Sequence, residues 1–378
     1  ESSAASDVYK RQITNGSLVV PINLSIKIKE KYRTKYLGGI KMASAFFVLF
    51  LACIFQGSFG ICFKKYQPFS WEAFWVLFSF IGVLCIPHIW CMVEVPHYLS
   101  YITATPVPTL IVGALSGFFW GISSIWYSKA IDMIGVSLVT GINLGLSNLL
   151  GSFVPMIILG TYPPARVLVV LLLGQLILLG GVIVLSKAGF MKNGNNEGTK
   201  TAKEKGTSSL FITGLIMALA SGAGSAAINI GATAANYPVA LAVKEGVNPT
   251  SASLLSWVVV FAGGFLANFV YAISKLIKNK TYTDYTKPGC AKAYFKVVLT
   301  SIVWFSALAI YGKATALLGT LGPVVGWVAF NGLALIIANA WGFLDGEWKG
   351  FEKAKRVAIY GNAVIIAALV VVGISNGL

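Results

Sequence analysis

The sequence predicts an all-α integral membrane protein of ten transmembrane helices, built as two inverted repeats of five. Three observations carry this. Hydrophobic residues make up 56% of the chain and charged residues 11%, against roughly a quarter charged in soluble domains. The apolar residues gather into runs of about 20, the length at which a helix crosses hydrocarbon. Basic residues crowd every second loop between those runs, as orientation in a membrane requires.

Residues 1–41 are polar and basic and hold no spanning run; Ser17 to Ile26 is too short and contains Pro21. They read as a non-native or disordered leader, with the folded chain starting at Met42. The spans follow as Ala43 to Phe63, Trp71 to Val93, Thr109 to Tyr127, Ile134 to Leu159, Val167 to Ser186, Leu210 to Ala232, Ser253 to Ile273, Phe295 to Ala314, Leu317 to Leu344 and Val357 to Ile374. Their glycines would weaken soluble helices, but membrane helices use small residues to bring backbones together, and Gly113, Gly117 and Gly121 form such a strip.

With each loop numbered after the helix it follows, the odd loops hold eighteen basic residues, from Lys64 and Lys65 in loop 1 to Lys353, Lys355 and Arg356 in loop 9. The even loops hold Arg166, Lys244 and Lys313. The odd loops are therefore expected in the cytoplasm and both ends outside. The same bias accounts for the net charge of +16: the basic residues are scattered over loops, which argues against a nucleic-acid partner. Residues 192–209, rich in Asn, Gly and Lys, read as a cytoplasmic linker between a first repeat, 42–191, and a second, 210–378. Five helices per half turn the second half upside down, the usual construction of secondary transporters. GQLILLGGVIVLSKAG from Gly174 and GNAVIIAALVVVGISNG from Gly361 are a faint echo between the halves.

No hydrolytic triad, phosphate-cradling loop, cofactor motif or paired carboxylates appear. The five cysteines form no CxxC pair, and two histidines exclude a multi-histidine metal site. What stands out is polar side chains at helical spacing inside apolar runs. Thr140, Asn143 and Ser147 share a face of the fourth helix with Asn148 beside them, and Ser221, Ser225 and Asn229 share a face of the sixth. Gln56 lies inside the first helix; Trp327 and Asn331 share a face of the ninth. Such groups turn inward, either to bond helix to helix or to line a cavity and bond solute hydroxyls. Trp75, Trp120, Tyr127, Trp304 and Trp327 offer faces for stacking a sugar ring, though aromatic residues near helix ends also serve as interfacial anchors. Among ionisable groups at the edges of spans, Glu72 opens the second helix, Lys129 and Asp132 bracket the third turn-around, and Lys313 ends the eighth helix. Glu72 is the candidate for exchanging a proton.

The segment FKKYQPFSWEAFW, Phe63 to Trp75, resembles the L-rhamnose–proton symporter family of the drug/metabolite transporter superfamily. The likeness continues through WGISSIWYSKAIDMIGVSL, GVIVLSKAG and GEWKG, in the same order, over most of residues 42–378. It implies sugar uptake driven by protons through an inner membrane, with Lys64, Lys65, Ser70, Trp71, Glu72 and Trp75 matching one family segment and Trp327 a family tryptophan. Where the family carries Tyr-Asp-Tyr before that tryptophan, this chain has Gly322, Pro323 and Val324. The residues alone indicate a carrier for a small polar solute; sugar and proton come from the resemblance. A drug or metabolite exporter of the same architecture is the competing reading. A membrane-embedded enzyme or receptor would have only His88, His97 and Glu94 to work with.

Overall fold

The computed structural model describes residues 22–62, 66–134, 136–160, 162–193, 208–319 and 322–375, without the side chains of 22–41, 128, 132, 136–138, 193, 208–209 and 375. Among the described residues there is no strand, and ten helices are long and apolar enough to cross a membrane. They are α1 (Met42–Cys62, the apolar part of a helix assigned Ile22–Cys62), α2 (Trp71–Glu94), α3 (Val107–Ile134), α4 (Val136–Leu159) and α5 (Ala165–Asn193). After them come α6 (Ser208–Ala234), α7 (Leu254–Asn279), α8 (Cys290–Leu318), α9 (Gly322–Leu344) and α10 (Glu352–Ser375). Residues 1–21 of the leader expected at 1–41 and most of the linker expected at 192–209, with Lys64 and Lys65, fall outside what is described; the backbone of 22–41 is helical and continuous with α1.

Local chemistry sets the helix ends. Ser70 caps α2, its Oγ accepting from the Ala73 N–H at 3.3 Å, and Asn248 caps the short helix Pro249–Ala252 in the same way. Several boundaries differ from expectation: α3, α5 and α7 run on past the expected ends Tyr127, Ser186 and Ile273 to Ile134, Asn193 and Asn279, and α8 begins at Cys290, ahead of Phe295. Lys313 does not end the eighth helix; α8 runs on to Leu318 and breaks at Gly319, whose φ of +74° suits only glycine. Hydropathy misplaced the break because the turn is itself apolar, and because Lys313 has a counter-ion inside the protein. A second feature lies within α2: residues Ser79–Cys85 form a π-helical turn between two α-helical ends.

The described residues from Ala45 onward pack as one unit. The predicted glycine strip brings α3 onto α7: a Cβ on Gly117 would overlap the carbonyl oxygen of Val260. Gly117→Ala is accordingly expected to force the two helices apart and lower the thermal midpoint in detergent by several degrees; an unchanged midpoint would show that this contact is slack. The two segments of the internal echo meet, with Gly174 against Val372 and Gly181 against Ile365 and Gly361, so α5 and α10 run antiparallel. On the first helix, Gly57 lies against Ala334 and Ile337 of α9, and the Trp341 Nε1 donates to Ser58 Oγ at 2.9 Å.

Candidate functional site

A cavity of about 440 Å³ opens where α4, α6, α7, α8 and α9 converge, within the range of roughly 300–1,000 Å³ usual for small-molecule sites. Its rim is formed by Leu159 at the end of α4, Asn236 and Val239 after α6, Pro249 before α7, Gly319 after α8 and Pro323 at the start of α9. These are the ends that border loops 4, 6 and 8, so the mouth faces the even-loop side. The wall carries Thr233, Ser253, Ser256, Gly312, Thr315 and Trp257, and the floor is Asn229 with Tyr311.

The floor is fixed by hydrogen bonds that join four helices. Asn229 Nδ2 donates to the carbonyls of Gly151 at 2.7 Å and Pro323 at 3.0 Å, while its Oδ1 accepts from the Tyr311 hydroxyl at 2.8 Å. Asn229 is 2% exposed and Tyr311 1%. In a medium without water such groups must find partners within the protein, and here one amide spends both donors on tying α6 to α4 and α9. None of the described lining residues carries an ionisable group except the Tyr311 phenol. The site is electrically neutral.

Beyond the floor, aromatic rings fill the space toward the odd-loop side. Trp257 stacks on Phe261, Phe261 meets Trp304, Trp304 stacks on Trp120 and edges onto Phe78, and Phe78 leads through Trp75 to Trp71, with centroid separations of 5.2 to 5.6 Å. Trp75 also donates from Nε1 to Asn268 Oδ1 at 3.0 Å. The structure therefore sets Trp75, Trp120 and Trp304 in a protein-to-protein stack outside the lining of the cavity. Trp327 packs edge-on to Tyr311 and donates to the Ser147 carbonyl at 3.0 Å, and Tyr127 bonds Thr140 at 2.7 Å.

Of the predicted polar groups, only Asn229 lines the cavity. Asn143 donates to Ser221 and Ser225, both at 3.0 Å, and Asn331 donates to Asn148 Oδ1 at 3.0 Å, so these join α4 to α6 and α9. Gln175 of α5 donates to Ser152 Oγ at 2.6 Å, extending the same network. Gln56 stands apart, its buried Oε1 lacking a hydrogen-bond partner. Sequence reasoning missed Thr233, Ser253, Ser256, Trp257, Tyr311 and Thr315. The signal was present as helical spacing: Thr233 continues the Ser221, Ser225, Asn229 stripe, Tyr311 and Thr315 are four apart, and Ser253 and Trp257 likewise.

A carboxylate clamps each end of α2. At the odd-loop end Glu72, 8% exposed, accepts from Asn279 Nδ2 at 2.8 Å and Thr281 Oγ1 at 2.9 Å. At the even-loop end Glu94 pairs with Lys313 at 2.5 Å, and also accepts from Trp90 Nε1 at 2.6 Å and Ser251 Oγ at 2.9 Å. Lys313 adjoins the cavity-lining Gly312 in sequence; sequence reading sets Glu94 beside His88 and His97 and not beside Lys313. His88 bonds the Tyr98 hydroxyl instead, at 3.0 Å.

Beside Glu72, Asp284 accepts from the Ser70 N–H at 2.7 Å and pairs with Lys287 at 2.5 Å. Burial works to raise its pKa, but the bonds from Lys287 and Ser70 outweigh it and hold the carboxyl below the usual carboxylate range. A lowered folded-state pKa stabilises fully above the unfolded value of about 3.9 and ceases to as pH falls through the folded value. Acidification below about pH 4 is thus expected to lower the thermal midpoint, and Asp284→Asn to weaken that dependence. A variant with the full acid sensitivity would assign it elsewhere.

Ten membrane-length helices among the described residues, five of them meeting at a neutral, polar-floored cavity open to one face, define a multi-pass membrane protein of the solute-carrier class. Comparison with known proteins makes this specific. The family model described as L-rhamnose-proton symport protein (RhaT) matches residues 40–377, and the chain belongs to that family. It is 27% identical over 324 residues to an L-rhamnose-proton symporter of Escherichia coli O1:K1 / APEC, covering 82% of this chain and 92% of the relative. A symporter of the same name from Pectobacterium carotovorum subsp. carotovorum (strain PC1) is 26% identical over 339 residues, covering 86% and 95%. The family is one of transporters, not enzymes.

Proposed function

We propose that this chain is a secondary active transporter that carries an L-rhamnose-like deoxyhexose together with a proton across the inner membrane by alternating access. The observation that carries this reading is the cavity: neutral, floored by Asn229 and Tyr311, open toward the even loops and backed by packed aromatic rings on the other side. Its neutrality suits an uncharged polyol, and the relatives are named for L-rhamnose and protons. The antiparallel meeting of α5 and α10 supports reading the halves as inverted repeats, one rocking against the other about the cavity. The basic odd loops are read as cytoplasmic, so the cavity faces outward.

The described cavity lining has no carboxylate to take the proton. Coupling is assigned to the carboxylates of α2: Glu72, the residue singled out from sequence, on the cytoplasmic side, and Glu94 on the outer side. Each holds α2 to neighbouring elements only through hydrogen bonds or an ion pair that depends on its charge.

Energy-depleted, lightly buffered cells expressing the protein are expected to alkalinise the medium when L-rhamnose is added. Silence toward every sugar tried, with the protein present in the membrane, would end this reading and favour an exporter of neutral amphipathic solutes.

A further inference from the structure

A groove of about 590 Å³ lies on the outside of the bundle between α4 and α5. Its bottom is closed where the two helices touch: a Cβ on Gly141 would lie 2.5 Å from Ser186 Oγ, and one on Gly145 2.7 Å from Leu179 Cδ1. Outside that contact Leu179, Ile183 and Phe190, spaced along one face of α5, are exposed and form an open apolar wall beside Ile142 of α4. The packed faces of α5 meet α4 and α10, so this stripe is turned to the lipid.

One charge stands among the described residues that line the groove. Lys187 is exposed, and its ammonium has no ion pair or hydrogen bond among the described residues. Lys192, by contrast, pairs with Glu347 at 3.6 Å and stands over the Trp348 ring. Lys187 follows directly on the apolar run Val167 to Ser186, which sets its ammonium at the headgroup level of the odd-loop leaflet. From Leu179 to Phe190 the stripe rises about 16 Å, and one leaflet of the hydrocarbon core is about 15 Å deep. An apolar groove one leaflet long, with an unpaired cation at its headgroup end, has the chemistry that takes a phospholipid of net negative charge. An acyl chain lies along Leu179 and Ile183, and the phosphate oxygens accept from the Lys187 ammonium. A zwitterionic lipid carries its own cation beside the phosphate and gains less. A second copy of the chain meeting this face across a two-fold axis would bring two unpaired lysines together.

We infer that the groove between α4 and α5 is a binding site for one anionic phospholipid, with Lys187 holding its phosphate. The site shares no lining residue with the solute cavity, and it stands whether or not the transported solute is a sugar.

The test is native mass spectrometry of the purified full chain in detergent with phosphatidylglycerol or phosphatidylcholine of the same acyl chains. Wild type is compared with Lys187→Gln, Ile183→Trp and, as a control on the same side of the membrane, Lys278→Gln. All three positions are exposed, and gel filtration confirms the folding of each variant. The wild type is expected to retain one phosphatidylglycerol about fivefold more tightly than phosphatidylcholine, the attraction of one lysine for an anionic headgroup. Lys187→Gln is expected to abolish that preference, and Ile183→Trp, which fills the groove, to lower retention of both lipids. Lys278→Gln is expected to behave as the wild type. A preference that survives Lys187→Gln, or that Lys278→Gln reduces as much, would overturn the site in favour of a general attraction to the basic face. Retention unchanged by Ile183→Trp would also overturn it. A dimer that forms without lipid and that Ile183→Trp dissolves would assign the face to a second copy instead.

Discussion

Asn229→Leu is expected to lower uptake of the transported solute at least about a hundredfold. The substitution strips the partner from the Tyr311 hydroxyl and from the carbonyls of Gly151 and Pro323. Each buried group left unmet costs about 1–3 kcal/mol, and two such losses already correspond to about a hundredfold. Tyr311→Phe removes one hydroxyl and is expected to do less. Radiolabelled uptake, normalised to folded protein in the membrane, measures both. Normal uptake by Asn229→Leu would take the cavity out of the transport path, since the floor could not survive that change unaltered.

The second large effect is expected at Lys313. Removing one partner of a buried pair costs about 3–5 kcal/mol, and an exposed pair is worth at most about 1. The Lys313 and Glu94 side chains are 22% and 23% exposed, so Lys313→Met is expected to cost about 2 kcal/mol and to abolish uptake. Adding Glu94→Gln removes the stranded charge. The double variant is expected to recover the thermal midpoint and to equilibrate sugar without alkalinising the medium. A double variant that still moves protons with sugar would return the coupling to Glu72 alone.

How much of this was legible follows from what each feature depends on. The spans depend on composition over about 20 residues, and all ten could be read, with boundaries lost where a turn was apolar, as at Gly319. The inward direction of the polar stripes depends on spacing within one helix, and was also readable. Which stripe meets another stripe and which meets empty space depends on helix pairing, to which local sequence is blind. Asn143 and Asn229 look alike in sequence; the first finds two serines on α6, while the second finds two carbonyls and the edge of a cavity. The pairing of Glu94 with Lys313 spans 219 positions and leaves no local pattern. A Cβ at Gly322 would overlap the Thr315 carbonyl, so the tyrosine that the family resemblance leads one to expect there could not be housed by this backbone.

The π-helical turn of α2 gives this helix an uncommon mechanical property. A wider turn stores one surplus residue, and a surplus residue that is passed along or released rotates everything beyond it by about 100°, the angular step of one residue. Because Ser79–Cys85 lies between Glu72 and Glu94, the two ends of α2 meet at a joint and do not form one uniform rod. If coupling sits at Glu72 and Glu94 as proposed above, such a joint would let one half of α2 turn on release of its clamp while the other half stays seated.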